Sequence, residues 1–267
     1  MIESVELVVD QAAERLLGAY RSGQPTTPVR DLIGSTDIAL AYKVQQRIVA
    51  ARTDRGAAVV GRKIGLTSEA VQRQVGVDQP DFGVLLDDMQ FVDGAVIPSS
   101  LLLQPRAEAE VAFVLRADLD GKSGLAAIRD AIAYASPAIE VVDSRVRDWD
   151  IAITDTVADN ASSGVFVIGE ARLELSEFEP RDVAMTLTRD GIEVSSGSGV
   201  ACLGDPLNAV AWLASTASMY GASLRAGDVI LSGALGPLAR VEPGWTLMAT
   251  ILPLGTVTVT FGEAEST

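Results

Sequence analysis

Glu108 and Glu110 stand two residues apart at the head of a strongly β-patterned run, AEVAFVL at 109–115. In an extended strand alternate side chains share a face, so both carboxylates project to the same side. On a solvated edge such a pair carries no chemistry. Here the flanking segments, 101–103 and 111–115, are apolar enough to bury the strand, and a buried pair of like charges calls for a cation. A third carboxylate, Glu140, sits in PAIEVVDSR, a second apolar β run. Three buried carboxylates invite a divalent ion. The chain has no histidine and one cysteine, Cys202. Any ligands are therefore oxygen, the donor set of Mg²⁺ or Mn²⁺ rather than of zinc or copper. Spacing alone leaves the solvated and the metal-binding readings both open.

Three other segments carry groups able to do chemistry. GRKIGLT, residues 61–67, places Lys63 between an apolar run and a glycine turn; GVDQPDFG, residues 76–83, holds Asp78 and Asp81 in a proline- and glycine-rich stretch. A strand-end lysine is ordinarily solvated and loop aspartates are ordinarily turn formers. DTVADNASSG, residues 155–164, is a run of small polar residues suited to contacts with a small anion, or to a plain connection.

Composition removes whole classes of function. Without histidine there is no Ser-His-Asp or Cys-His nucleophile, no histidine-ligated zinc and no histidine base, so acid–base work falls to Asp, Glu, Lys, Tyr, Cys or a metal-bound water. The single cysteine excludes an intrachain disulfide. With 21 Lys and Arg against 36 Asp and Glu, the formal charge is −15. That field repels nucleic acid, and an anionic substrate needs a local positive centre. No stretch approaches the roughly 18 apolar residues of a membrane span, and the N-terminal MIESVELVVD is acidic and amphipathic rather than a signal, so a cytoplasmic protein without membrane contact is expected.

The elements that must position these groups are legible as a pattern. Helical spacing over 5–17 gives way at Gly23–Pro28, and a second helix is predicted from Thr36 and Asp37, with Gly56 at its C-terminal end. Strands are predicted at 109–115, 137–142, 165–169, 185–194, 228–233 and 256–261, with a hairpin turn at Arg189-Asp190-Gly191. One helix begins at Asp205-Pro206 and ends by Gly221; another runs over 125–134 and stops before Pro137. This is an α+β chain: a helical region at 1–58, then a β-rich body at 59–267. The glycines at 197, 199 and 204 lack the strand–turn–helix context of a dinucleotide site.

Taken in order, GRKIGLT, GVDQPDFG, LLQPRAEAEVAFVL, PAIEVVDSR, DTVADNASSGVFVIG, EVSSGSG, CLGDPLNAVAWLA and DVILSGALGP make the chain resemble the 2-keto-4-pentenoate (2-hydroxypenta-2,4-dienoate) hydratases of the fumarylacetoacetate hydrolase superfamily, over residues 28–262. The resemblance implies a mixed β-roll with an N-terminal helical region. It implies Mg²⁺ or Mn²⁺ on Glu108, Glu110 and Glu140, with Lys63 and Asp81 as the water-activating and substrate-orienting pair and Ser162 on the substrate. The implied reaction converts 2-hydroxypenta-2,4-dienoate to 4-hydroxy-2-oxopentanoate, a step in meta-cleavage catabolism of aromatic compounds. Homo-oligomers up to decamers are implied too. The related 4-oxalocrotonate decarboxylases share the metal residues but differ around Asp81 and carry HPK where this chain has Gln104-Pro105-Arg106. Two alternatives are such a decarboxylase and a non-catalytic subunit associated with a decarboxylase or aldolase of the same route.

Overall fold

In a computed structural model, which describes residues 2–264, the order begins with three helices, α1 (Ile2–Ser22), α2 (Arg30–Ile33) and α3 (Ile38–Thr53). Next come β1 (Val59–Gly65), α4 (Glu69–Val75), β2 (Asp81–Leu86), β3 (Gln90–Val92) and β4 (Val96–Ile97). The long strands β5 (Pro105–Leu115) and β6 (Ile132–Asp143) flank α5 (Leu125–Ala131), and α6 (Ile153–Ala158) leads into β7 (Ser163–Ile168). The hairpin β8 (Ala184–Arg189) and β9 (Ile192–Ser198), helix α7 (Pro206–Met219) and strands β10 (Val229–Leu231), β11 (Ala239–Arg240), β12 (Thr246–Leu252) and β13 (Gly255–Phe261) follow.

The strands form two sheets. One runs β2-β1-β10-β5-β6-β7-β3 with β11 beside β5, and the other runs β4-β13-β12-β8-β9. Parallel pairs (β1 with β10, β3 with β7, β4 with β13) sit among antiparallel ones, which makes the mixed roll that the family resemblance implies. Alternation decides what each face of the large sheet meets. Ala107, Ala109, Val111 and Phe113 of β5, with Ile139 and Val141 of β6, enter the main core with Leu247, Ala249, Val257 and Val259 of the second sheet. The opposite face carries Glu108, Glu110 and Glu140, and further along Ala112, Ala138, Phe166 and Leu231, which close a separate apolar cluster with Val84 and Leu86.

Local signals account for most boundaries. Asp37 caps α3 by accepting from Leu40 N at 2.9 Å, and Asp205 caps α7 with Pro206 at its first position. Asp190 and Gly191 both have positive φ, 49° and 83°, as a type I′ turn requires. Two boundaries differ from the sequence pattern. The helix predicted over 125–134 ends at Ala131, and β6 begins at once and runs straight through Pro137. Pro137 is tolerated there because its carbonyl accepts from Gly169 N at 2.8 Å just past the end of β7, so the N–H that proline lacks falls where that ladder stops. The proline- and glycine-rich 76–83 stretch is not all loop either, since β2 starts at Asp81.

The polar run at 155–164 is a packed element. The buried Asp155 carboxylate accepts from Val29 N at 2.8 Å, Arg30 N at 2.9 Å, Ala152 N at 2.9 Å and Arg30 Nη1 at 2.7 Å. It ties the start of α2 to α6. Gln45 of α3 donates to Phe82 O and Val157 O, joining the helices to β2 and α6. Asp155→Ala strands these donors, so a loss on the order of 3 kcal/mol in urea unfolding is expected, with Asp155→Asn losing less. Equal stability of wild type and Asp155→Ala would remove the clamp.

Candidate metal centre and active site

Glu108 lies directly opposite Glu140 in the β5–β6 ladder, and Glu110 follows two residues later on the same face. One oxygen from each lies within 4.8 Å of the others, and all three side chains are buried; among the described residues this is the one such group of three acidic or thiol side chains. Ionised together, they repel by more than about 3 kcal/mol per pair at an effective dielectric near 20. The neighbours do little to offset that. Glu110 Oε2 accepts from Gly233 N at 2.7 Å, while Glu110 Oε1 and Glu140 Oε2 accept no hydrogen bond. Among the described residues the nearby cation is Lys63, whose Nζ is 3.2 Å from Glu140 Oε1.

Lys63 reaches this face because β1 sits two strands from β5, across β10, with Lys63 in register with Leu231 and Leu231 with Ala112. It is 2 % exposed, far from the solvated strand end that its glycine-flanked position suggested. Burial lowers its pKa, but Glu140, Asp81, Glu108 and Glu110 outweigh that and push it up to about 12. Asp81 heads β2 opposite Gly65. A Cβ on Gly65 would lie 2.2 Å from Asp81 Oδ1 and 3.3 Å from Lys63 Nζ, so the glycine leaves space for the Asp81 carboxylate and the Lys63 ammonium. Asp81 Oδ2 accepts from Thr156 Oγ1 at 2.9 Å, and the buried Oδ1 has no partner. Burial raises Asp81 above the ordinary carboxylate range, against the pull of Lys63 and the Thr156 bond. Asp78 is exposed and takes no part.

Ser162 arrives on a strained turn. Asn160, Ala161 and Ser162 have φ of 54°, 52° and 51°, a left-handed run that non-glycine residues seldom adopt and that clusters at functional sites. Asn160 fixes the turn by accepting from Val84 N at 2.8 Å and donating to Val84 O at 2.9 Å, and Gly83 makes room for it, since a Cβ there would lie 2.5 Å from Asn160 O. Ser162 Oγ ends 3.4 Å from Thr156 Oγ1. Lys63, Asp81, Glu108, Thr156 and Ser162 line one cavity of about 20 Å³, room for a single water, with Leu66, Val71, Trp149, Ile151 and Leu238 as its apolar wall.

The six residues singled out from the sequence thus converge. Those missed are Thr156, Asn160 and Trp149. The first two sit inside a motif read as a polar run, where neither burial nor the left-handed turn leaves a trace. Arg147-Asp148-Trp149 gave no signal.

The donor set fits a hard dication: oxygen ligands only, an excess of buried negative charge, and unpartnered oxygens aimed at a common point. In its absence burial raises all three glutamates, first by desolvation. Glu140 raises Glu108 further, to about 7; Glu140 and Glu108 hold Glu110 well above its usual value; and Lys63 moderates Glu140. Groups raised in the folded state stabilise it fully below the unfolded carboxylate range, and that stability is lost as pH rises through the folded value. Metal-free protein should therefore melt at a lower temperature at pH 8.5 than at pH 5.5. Millimolar Mn²⁺ or Mg²⁺ should raise the melting temperature, more at pH 8.5. A melting temperature indifferent to both ions at both pH values would contradict a metal centre here.

The chain matches the family described as fumarylacetoacetate (FAA) hydrolase C-terminal over residues 62–262. It is 52% identical over 252 residues to a 2-keto-4-pentenoate hydratase of Burkholderia vietnamiensis, covering 94% of this chain and 96% of that one. It is 51% identical over 257 residues to the TodF product hydratase of Pseudomonas putida, covering 96% of each. Among solved structures it is similar to 4-oxalocrotonate decarboxylase from Pseudomonas putida G7 complexed with magnesium and adipate, with a TM-score of 0.90, 35% identity, and 96% and 97% of the two chains covered.

Proposed function

The chain belongs to the fumarylacetoacetate hydrolase family, and within it we propose that Glu108, Glu110 and Glu140 hold Mg²⁺ or Mn²⁺ while Asp81 activates the water that is added, Lys63 orients it and Ser162 contacts the substrate carboxylate. The protein is a hydro-lyase of the 2-keto-4-pentenoate hydratase type, acting in meta-cleavage catabolism of aromatic compounds. No helix of the described residues is long and apolar enough to cross a membrane. A cytoplasmic homo-oligomer is part of the proposal.

One observation carries the division of labour. Asp81 Oδ1 is a buried carboxylate oxygen without a partner, on a water-sized cavity it shares with Glu108, Lys63 and Ser162. A divalent ion bound at the glutamates supplies electron withdrawal from a 2-oxo acid, which makes carbon 4 of the conjugated 2-oxo-3-enoate electrophilic. The protein's own groups do the rest. Thr156 fixes Oδ2, so Oδ1 is the oxygen presented to a water, and burial makes the carboxylate a stronger base than a free aspartate. Lys63 holds the charge of Asp81 before transfer and orients water or substrate. The apolar wall keeps other water out and offers the hydrocarbon tail no charge.

The likeness to 4-oxalocrotonate decarboxylase favours a second reading, decarboxylation at the same centre. The higher identity to hydratases supports hydration. Release of carbon dioxide from 4-oxalocrotonate faster than loss of 2-hydroxypenta-2,4-dienoate absorbance would reverse the order.

Chelation should cost about three to four decades of rate, restored by Mg²⁺ or Mn²⁺. Asp81→Asn should keep Mn²⁺ and oxalate binding, read by calorimetry, and lose about 10²–10⁴ in kcat. Glu110→Gln should lose Mn²⁺ affinity first. If both variants lose metal equally, Asp81 is a ligand and the assignment of roles fails.

A further inference from the structure

A second site of opposite charge lies on the outer side of Trp149. Two residues before Glu108, Arg106 projects from the same face of β5, and the β5–β11 register sets Arg240 directly opposite it. Like charges placed opposite each other on paired strands destabilise a sheet unless something neutralises them. Among the described residues Arg106 makes no ion pair and its guanidinium donates no hydrogen bond; it lies 4.3 Å from the centroid of the Trp149 ring. Arg240 has one distant partner, Glu242 at 4.0 Å, which is the acidic residue on this wall. Both arginines line a cleft of about 380 Å³, together with Gln104, Ser99, Trp149 and Glu242. Burial, and then Arg240, lower the pKa of Arg106, consistent with a cation that lacks a counter-charge.

The location matters as much as the charge. Trp149 is a wall of this cleft and also of the cavity containing Lys63, Asp81, Glu108 and Ser162. Its indole donates to Gln104 O at 3.0 Å, and both Asp148 and Trp149 have left-handed φ, 60° and 56°. The backbone is thus held in an unfavourable conformation that sets the ring between the two spaces. Lys63 cannot serve an arriving anion from outside, because it is buried against Glu140. In a chain of net charge −15, the paired arginines form a local positive patch beside the catalytic cavity.

We propose that the Arg106–Arg240 cleft binds the carboxylate of a small organic acid and recruits the anionic substrate to the outer face of Trp149 before it enters the metal cavity. Planar guanidinium groups suit a carboxylate, and the Trp149 ring holds the Arg106 guanidinium in place on this cleft. The recruiting role rests on the hydratase reading, whereas carboxylate binding does not.

Two measurements separate the parts. Succinate titrated into metal-free protein should change tryptophan emission saturably. The change should vanish in Trp149→Phe, weaken about tenfold or more in the Arg106→Gln/Arg240→Gln double variant, and weaken as KCl is raised from 20 to 200 mM (test concentrations chosen to span about a threefold change in screening length). Calorimetry should give the same ranking, and circular dichroism should show both variants folded. No saturable binding, or equal binding by the double variant, would overturn the site while leaving the hydratase assignment intact. In turnover with Mg²⁺, the double variant should lose about tenfold in kcat/KM with kcat unchanged, and its kcat/KM should respond less to salt. Succinate binding with kcat/KM unaltered would overturn recruitment.

Discussion

Three glutamates and one lysine buried around a common point impose the constraint from which the rest of the molecule follows. Glu108 and Glu140 face each other across a ladder whose other side is filled with core residues, so neither strand can rotate its carboxylate toward water without turning Ala107, Ala109, Ile139 and Val141 out of the core. The charges are held together by a hydrophobic argument made on the far side of the sheet. A single ammonium offsets one of them, and the remaining negative charge is what selects a dication over any neutral ligand.

The second requirement is room. Side chains that meet at the site come from strands and turns far apart in sequence, and at two points the close approach is possible only because a Cβ is missing. Gly65 opens the space between Lys63 and Asp81, and Gly83 lets the Asn160–Ser162 turn lie against β2. That turn would relax without the paired hydrogen bonds of Asn160 to Val84. Strain and close approach are thus concentrated where Asp81, Thr156 and Ser162 meet, and the helices behind them, through Gln45 and Asp155, supply the rigidity.

What the sequence disclosed follows the range of the interactions involved. Caps at Asp37 and Asp205, the Asp190-Gly191 turn and the alternation of β5 act within a few residues, and each was readable. Glu108 and Glu110 were readable as a pair for the same reason, and the chain's lack of histidine narrowed their chemistry. Pro137 misled because its consequence depends on where β7 ends, 31 residues later in the chain. The burial of Lys63 depends on β10, and the partnership of Asp81 with Thr156 spans 75 residues. Roles for Lys63, Asp81 and Ser162 therefore came from resemblance to a family, not from spacing, and Trp149 escaped both.

On the proposed reading, the lysine explains why an ion is needed. Lys63 carries the positive charge closest to the reacting groups, yet four carboxylates surround it, and its raised pKa records that they hold its proton. A cation already matched in this way contributes little net attraction to an incoming acid, so it can orient and steady the base but cannot draw electrons from a carbonyl. Were Lys63 replaced by arginine, the charge would remain but the fork of the guanidinium would fill the space that Gly65 leaves open. The compact ammonium fits between Glu140 and Asp81, and the electrophilic work passes to whatever the glutamates bind. The proposed division between a proton-handling pair on β1 and β2 and a ligand trio on β5 and β6 thus follows the order of strands in one sheet.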